Sequence, residues 1–317
     1  MIFSNLNTEH FVRDLGKHNL KVASTLYTKD GTAFKSYGDQ HSPLIFIHGV
    51  GMRGDVWAPQ VEYFSNDYQV ITYDFLGHGE SSLPPKEPVL DDYVEQLNNL
   101  LKHLDVDLIS LVGHSMGALI SVAFALKYPD KVKVLVPINI AFNRNEEAQK
   151  GVLNRANQIL ETNKILNIEQ TLERWFNNKT SVDDLKKIGK VRNWLANASP
   201  QGYGRAYRLF ALSDKVFLNK LSQLRPPVLY LTGDEDPNST PAMSQQMAEE
   251  TPNGSSNSLS GEAHMMSYIA PNKVNPIIEQ FFMKAKKERP NEQRRDAQFP
   301  TSAWFVSDWS YYCHDSR

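Results

Sequence analysis

The sequence predicts an α/β fold in which a mostly parallel central sheet has helices on both faces and carries an inserted helical cap. Three observations support this prediction. Short apolar segments alternate with helical patterns in the first half of the chain, a purely helical stretch follows, and a strand pattern then returns. Alternating strands and helices are typical of βαβ units, which build parallel sheets.

The predicted strands are short segments rich in branched apolar residues. They are residues 44–47, 70–73, 108–112, 132–136 and, after the helical stretch, 227–231. Strands of this composition, without alternation of polar residues, are typical of central positions in a sheet that is buried on both faces.

Helices are predicted from apolar residues that recur at helical spacing. Val94, Leu97, Leu101 and Leu104 mark a crossover helix between the second and third strands. Two further helices are expected after the last predicted strand, one from about residue 241 and the other over about 274–286.

The predicted domains follow from these patterns. The core comprises residues 1–142 and 221–286, and the helical cap comprises residues 143–220, where no strand pattern occurs. Residues 287–317 begin with a charged, helix-breaking stretch and end in an aromatic-rich segment, so they are interpreted as a linker and tail of unknown role.

The overall composition is that of an ordinary globular protein. Of 317 residues, 41% are hydrophobic and 22% are charged, with a formal net charge of −2, so no basic surface for nucleic acid or an anionic membrane is indicated. The one cysteine, Cys313, predicts neither an internal disulfide nor a metal site. Without a secretory pattern or a long apolar run, a cytoplasmic location is expected, and homo-oligomerisation stays open.

A candidate nucleophile lies in the pentapeptide Gly113-His114-Ser115-Met116-Gly117, which has the G-x-S-x-G pattern. The pattern alone is a modest signal, but here it directly follows a predicted strand and begins an apolar helical run. This setting presents a serine hydroxyl on a sharp turn at the edge of the sheet. Ser115 is therefore the predicted nucleophile.

A second glycine-containing loop, residues 48–52, follows the first predicted strand and is expected at the same edge of the sheet. Such a loop supplies one backbone donor to an oxyanion, and the residue after the nucleophile supplies the other. The N–H groups of Val50 and Met116 are therefore the predicted oxyanion hole.

The serine needs a base and an acid that orients it, in the chain order serine, acid, histidine. His264 is the only histidine between the cap and the tail, and it is the predicted base. Asp234, Glu235 and Asp236 all follow the last predicted strand. Asp236 is preferred because it precedes Pro237, in a loop that must bend back before the next helix, whereas Asp234 can stabilise the turn.

Together these residues resemble the α/β-hydrolase family across about residues 27–286. The resemblance is carried by residues 48–51, 73–81, 113–117 and 233–236 and by His264. Within the family the chain looks most like the β-ketoadipate enol-lactonase and carboxylesterase group. The resemblance implies hydrolysis of a small carboxylic ester or enol-lactone with no metal or organic cofactor, and it supports Asp236 as the acid.

The cap is expected to form the roof of the substrate pocket. Trp175, Tyr203, Arg205 and Tyr207 are the candidate substrate-binding residues, and an arginine there is suited to a substrate carboxylate. The alternatives are a carbon–carbon bond hydrolase of ring-cleavage products, a cofactor-free perhydrolase or oxygenase, and a non-catalytic receptor for a small molecule.

Overall fold

The structure, a computed structural model, describes residues 23–177, 179–213 and 215–288. Within these residues, eight strands form one sheet. They are β1 (Leu26–Tyr27), β2 (Ala33–Tyr37), β3 (Pro43–Ile47), β4 (Gln69–Tyr73), β5 (Ile109–His114), β6 (Val132–Ile138), β7 (Val228–Gly233) and β8 (Gly254–Leu259).

The strand order across the sheet is β1-β2-β4-β3-β5-β6-β7-β8. The strands from β4 to β8 pair in parallel, whereas β1 and β2 join the edge in antiparallel pairs. The α/β fold with a mostly parallel sheet, predicted from the sequence, is therefore confirmed.

Ten α-helices are found in the described part of the chain. They are α1 (Ala58–Phe64), α2 (Leu90–Leu104), α3 (Met116–Lys127), α4 (Glu146–Thr162), α5 (Ile168–Phe176), α6 (Val182–Ala196), α7 (Pro200–Leu212), α8 (Pro241–Glu250), α9 (Met266–Ile269) and α10 (Pro271–Glu288). Among these described elements, no helix is long and apolar enough to cross a membrane.

The centre of the sheet forms the core because its strands are apolar on both faces. Every residue of β5 and β7 is buried, and so are the last four residues of β3 and β4. Helix α3 packs on β5 and β6 and is buried around most of its circumference, which explains why its sequence is apolar rather than amphipathic.

The five predicted strands correspond to β3 to β7, and the predicted crossover helix corresponds to α2. The strands toward the edges of the sheet, β1, β2 and β8, were not predicted from the sequence. Strand β8, with the sequence Gly-Ser-Ser-Asn-Ser-Leu, contains one apolar residue and has an exposed middle, so its composition resembles a loop. It is a strand because its backbone pairs with β7 over its whole length.

Four helices, α4 to α7, lie between β6 and β7, in the segment where the sequence predicted the cap. Helix α7 approaches the core at a very close backbone contact. A Cβ atom added to Gly202 would lie 1.9 Å from the carbonyl oxygen of Gly77, so the two chains can meet only without a side chain there. Of the predicted linker and tail, Lys287 and Glu288 end α10, and residues 289–317 lie outside the described residues.

Candidate active site

Ser115 occupies a strained turn between β5 and α3. Its backbone has φ 55° and ψ −115°, and its N–H donates to the carbonyl oxygen of Ile138 at the end of β6 (2.9 Å). A non-glycine residue with positive φ is uncommon and occurs where the surroundings hold it in place. The turn therefore fixes the serine at the edge of the sheet.

The glycines on either side of Ser115 are required by the packing of this turn. A Cβ atom at Gly113 would lie 2.2 Å from the carbonyl oxygen of Gly117. A Cβ atom at Gly117 would lie 2.2 Å from the carbonyl oxygen of Ile47, at the end of β3. The pentapeptide thus allows α3 to start directly against the neighbouring strand.

His264 and Asp236 form a buried pair beside this turn. The Nδ1 atom of His264 lies 2.6 Å from Oδ2 of Asp236, and the two residues are 5% and 2% exposed. When Nδ1–H donates a hydrogen bond to the carboxylate, Nε2 in the neutral form of the ring keeps its lone pair and can accept a proton. The pair therefore has the hydrogen-bonding arrangement of a base and its orienting acid.

Three further donors surround the Asp236 carboxylate. Asn139 Nδ2 donates to Oδ2 (2.8 Å), the Ser239 hydroxyl donates to the same oxygen, and the Asn238 N–H donates to Oδ1 (2.9 Å). Burial opposes ionisation, but the electrostatic interaction and the hydrogen bond with His264, together with the hydrogen bonds from Ser239 and Asn238, lower the pKa of Asp236 to about 2. The carboxyl group is therefore ionised at neutral pH.

The other two acids of the loop lie elsewhere. Asp234 is exposed, and its Oδ1 accepts a hydrogen bond from the N–H of Gly261 (2.8 Å), which stabilises the turn. Glu235 is also exposed. Of the three candidates, the structure brings Asp236 to His264.

His114 links the nucleophile turn to the His264 loop. Its Nε2–H donates to the carbonyl oxygen of His264 (2.8 Å), and burial, with the nearby His264 as a smaller cause, lowers the pKa of His114 to about 3. A neutral His114 thus holds His264 close to Ser115. From the cap, the carbonyl oxygen of Trp175 accepts from the N–H of Met265 (3.1 Å), and the Trp175 ring packs 5.7 Å from the His264 ring.

The loop that contains Val50 is held by two buried neutral histidines. His78 Nε2 accepts from the N–H of Gly51 (2.9 Å), and His48 Nε2 accepts from the N–H of Phe75 (3.1 Å). Burial lowers the pKa of His78 to about 4 and that of His48 well below its usual range. Protonation would destroy both acceptor positions, so the neutral rings keep the loop in place.

The N–H of Met116 is the first of helix α3 and has no partner within the helix, as at any helix N-terminus. The helix dipole adds to its ability to stabilise negative charge. Val50 lies in the loop after β3, and β3 and β5 are paired up to Ile47 and Gly113, so both predicted donors belong to the same edge of the sheet.

Ser115 and His264 line one cavity under the cap. Its empty volume, including the open mouth, is about 400 Å³. The described residues lining it are Val50, Ser115, Val152, Arg174, Trp175, Tyr203, Tyr207, Phe210, Asn238 and His264. Apolar and aromatic side chains with a few polar groups form this lining, which is typical of a site for a small molecule.

Comparison with known proteins identifies the family. A family model described as alpha/beta hydrolase fold matches residues 42–271, which is most of the chain. The chain belongs to the α/β-hydrolase fold family.

Relatives of this α/β-hydrolase are enzymes of the same class. It is 38% identical to (E)-2-((N-methylformamido)methylene)succinate hydrolase of Acinetobacter baylyi, over 75% of this chain and 89% of the relative. It is 29% identical to 3-oxoadipate enol-lactonase 2 of the same organism, over 78% and 91%. This α/β-hydrolase is therefore a hydrolytic enzyme, and its predicted likeness to enol-lactonases is confirmed.

Solved structures show the same fold. A thermophilic esterase from Thermogutta terrifontis, with malate bound, has a TM-score of 0.74 and 25% identity, covering 83% of this chain and 98% of the esterase. The enol-lactonase of Burkholderia xenovorans has a TM-score of 0.70 at 19% identity, covering 82% and 100%.

The four cap residues predicted to bind substrate separate into two groups. Trp175, Tyr203 and Tyr207 line the cavity of the α/β-hydrolase, whereas Arg205 does not. Helix α7 directs Arg205 toward the core loop instead, where its Nη1 donates to the carbonyl oxygen of Pro84 (2.7 Å). The structure therefore does not bring Arg205 into the cavity that contains Ser115.

Sequence reasoning missed three polar residues near the site. Arg174 and Asn238 line the cavity, and Asn139 binds Asp236. Arg174 stands beside Trp175 in the sequence, so the helical pattern already placed it near the roof. Asn139 had no signal, because its position follows from the pairing of β6 with β7. Within the described residues, no group of three or more His, Cys, Asp or Glu side chains could hold a metal ion.

Proposed function

We propose that the protein is a serine hydrolase that cleaves a small carboxylic ester or enol-lactone through an acyl-enzyme on Ser115. The observation that carries this proposal is the buried His264–Asp236 pair, with 2.6 Å between Nδ1 and Oδ2, whose histidine lines the same cavity as the strained Ser115. A serine hydroxyl is a weak nucleophile until a base takes its proton, and this arrangement supplies the base.

In the acylation step, Ser115 Oγ attacks the carbonyl carbon while His264 Nε2 takes the hydroxyl proton. The carbonyl π electrons move to the oxygen, and the N–H groups of Val50 and Met116 stabilise the resulting oxyanion. Collapse of the tetrahedral intermediate breaks the bond to the leaving oxygen, which takes the proton from His264. Asp236 stabilises the imidazolium between the two transfers.

In the deacylation step, water attacks the acyl-enzyme, and His264 takes a proton from that water. The second tetrahedral intermediate collapses, Ser115 Oγ recovers the proton, and the carboxylic acid leaves. Loss of one oxyanion donor in such a site costs about 10²–10³ in turnover, so the histidine contacts that hold the Val50 loop matter for rate as well as for structure.

A second candidate is hydrolysis of an N-acyl amide group that is carried by a carboxylic acid. It is favoured by the 38% identity to an enzyme whose name gives an N-methylformamido-substituted succinate as its substrate. An amide carbonyl reacts through the same tetrahedral intermediate, with nitrogen as the leaving atom protonated by His264. The names of this relative and of the 3-oxoadipate enol-lactonase both refer to compounds of dicarboxylic acids, which supports a small carboxylate-bearing substrate in either case.

The test is a substrate panel of short esters, enol-lactones and N-formyl amides, measured with the wild type and with Ser115→Ala. We expect turnover of an ester or a lactone that falls by at least about 10⁴-fold in the variant, because a triad without its nucleophile keeps little catalysis.

Ser121→Ala is the matched control, since the Ser121 hydroxyl donates within α3 to the carbonyl oxygen of Ala118 (2.8 Å). We expect the control to keep wild-type turnover. Turnover that persists in Ser115→Ala would overturn the mechanism, and turnover confined to the amides would favour the second candidate.

A further inference from the structure

We propose that Arg174 binds a carboxylate group of the substrate, so that the enzyme acts on acyl compounds carrying a second, negatively charged end. This inference rests on the proposed acyl transfer at Ser115, and it assigns substrate recognition to a residue of the cap helix α5. The argument depends on the charge of the cavity, the free donors of the guanidinium and the way in which α5 is fixed.

The first observation is the charge of the cavity. Among the described residues that line it, Arg174 has the only permanent charge, and the other lining residues are apolar, aromatic or neutral polar groups apart from the base His264. In such surroundings the Arg174 side chain loses part of its hydration, and no carboxylate among the described lining residues compensates for that loss. An anion in the cavity would restore that loss, so the site favours a negatively charged ligand.

The second observation is the state of the guanidinium donors. Arg174 Nε is buried and has no hydrogen-bond acceptor among the described residues, while Nη2 makes one long contact to Thr171 Oγ1 (3.4 Å). Nε and Nη2 lie on the same edge of the guanidinium. They are therefore a pair of donors in the geometry that binds a carboxylate through two parallel hydrogen bonds, and no carboxylate of the described residues occupies them.

Another arginine of the cap shows what this edge binds. Arg192 holds the carboxylate of Glu169 with the same two atoms, Nε at 2.7 Å and Nη2 at 2.9 Å. The Arg192–Glu169 ion pair lies at the surface, whereas Arg174 lines the Ser115 cavity. A substrate carboxylate would take the place at Arg174 that Glu169 takes at Arg192.

The third observation is that the backbone of Arg174 is tied to the catalytic loop. The next residue, Trp175, accepts the hydrogen bond from Met265 and packs on His264. After α5, Lys179 donates to the carbonyl oxygen of Gly261 (3.1 Å) and pairs with the buried Glu262 (3.2 Å). These contacts fix the backbone at Arg174 relative to the base, so a carboxylate bound by this side chain would hold the reacting carbonyl in the same cavity as Ser115.

Tyr207 supplies a second polar group in the same cavity. Its hydroxyl oxygen accepts a hydrogen bond from Arg155 Nε (3.2 Å), so its own proton is available for an acceptor on the ligand. The ligand that fits these groups is a short acyl compound with a carboxylate a few atoms from the reacting carbonyl, such as the half-ester of a short dicarboxylic acid.

The experiment compares monomethyl succinate with methyl butyrate, which replaces the free carboxylate by a methyl group, using acid release to follow hydrolysis. For the wild type we expect a higher kcat/KM with monomethyl succinate. In Arg174→Gln we expect kcat/KM for monomethyl succinate to fall by about 10- to 100-fold, mainly through KM, because a charged hydrogen-bond donor to the anion is lost. The value for methyl butyrate should change by less than about threefold.

Arg192→Gln is the matched control, since it removes another cap arginine by the same substitution, and an exposed ion pair contributes little. Both esters should react with it as with the wild type. Equal losses for the two esters in Arg174→Gln, or no loss for either, would overturn the proposed recognition.

A binding measurement separates this inference from the proposed chemistry. Succinate titrated calorimetrically into Ser115→Ala should bind, and it should bind at least about tenfold more weakly to the double variant with Arg174→Gln. If the esters are not hydrolysed at all, the acyl-transfer proposal fails while the carboxylate site is still judged by this titration.

If the Arg174 variant does not fold, inhibition of the wild-type enzyme tests the same carboxylate site. Succinate should inhibit turnover of a reactive substrate more strongly than the uncharged succinamide, or raise the thermal midpoint more where no substrate reacts. Equal effects of the two compounds would contradict a carboxylate site.

Discussion

A single carboxyl group, that of Asp236, illustrates how individual residues prepare the site. It is buried, but it accepts hydrogen bonds from His264, Asn139, Ser239 and the Asn238 N–H. Such bonds stabilise the charged form, so the acid stays ionised and holds the histidine in one tautomer without taking its proton. Its position, rather than its residue type, distinguishes it from the exposed acids next to it.

This difference predicts the effect of two matched substitutions. Asp236→Asn should reduce kcat by about 10⁴-fold, because an amide does not favour the tautomer that leaves Nε2 free to accept a proton. Asp234→Asn should reduce kcat by less than about tenfold, since the side chain accepts one hydrogen bond from Gly261 in a solvent-exposed turn. Steady-state kinetics with the best ester of the panel measures both.

The two variants should both fold, which circular dichroism and thermal melting would establish. A large loss in Asp234→Asn combined with a small loss in Asp236→Asn would show that the acid had been assigned to the wrong residue.

At the scale of secondary-structure elements, the helix α7 joins the cap to the loops of the core. Gly202 contacts the backbone of Gly77. The Tyr203 ring packs so closely on Gly51 that a Cβ atom added to Gly51 would lie 2.6 Å from the ring. The same helix presents Tyr203 and Tyr207 to the cavity. The docking of α7 therefore determines both the shape of the substrate site and the support of the loop that contains Val50.

Gly202→Ala tests this docking. The added methyl group would lie 1.9 Å from a backbone oxygen, so helix or loop must move, and we expect the protein to lose about 2–3 kcal/mol of stability together with much of its kcat/KM. Urea denaturation and ester kinetics measure the two effects.

Gly189→Ala is the control in the neighbouring helix α6, where a Cβ atom meets nothing within 4 Å. Removing a glycine from a helix interior should stabilise the protein by up to about 1 kcal/mol and leave turnover unchanged. If both variants behave alike, the close contact of α7 with the core has no energetic role.

At the scale of the whole molecule, three buried histidines make stability depend on pH. Burial keeps the pKa of His114 at about 3, that of His78 at about 4 and that of His48 well below its usual range. The unfolded chain takes up protons on these side chains near pH 6.5, and the folded protein does not. The unfolded state thus binds more protons below that pH, and the free energy of unfolding falls as pH decreases.

The expected slope is about 1.4 kcal/mol per pH unit for each histidine, between about pH 6 and the pKa of the folded state. Urea denaturation at pH 7, 6 and 5 measures it. His78→Gln keeps an acceptor for the Gly51 N–H but cannot be protonated, so its pH dependence should be shallower by that amount. An unchanged slope in this variant would show that His78 is protonated while the protein is folded.

The sequence by itself determined the parts of this protein whose cause is local. Apolar segments identified β3 to β7, and the strand–glycine–serine–glycine–helix order identified the Ser115 turn, because a strained turn against a neighbouring strand tolerates only such residues. His264 followed from chain order alone. The strand and turn signals are readable because each is set by burial or by backbone geometry within a few residues.

The tertiary structure decided what depends on contacts between distant segments. Strand β8 has a loop-like composition and exists through its pairing with β7. The sequence favoured Asp236 over Asp234 as the acid. The hydrogen bond between Asp236 and His264, however, depends on how the loop after β7 packs against the loop that contains the base. Arg174 and Arg205 are both arginines of predicted cap helices, and composition cannot tell which one faces Ser115. Only the packing of the cap on the sheet places Arg174 at the wall of the cavity and the Arg205 guanidinium against a core carbonyl, because the direction of a side chain is fixed by its neighbours in space.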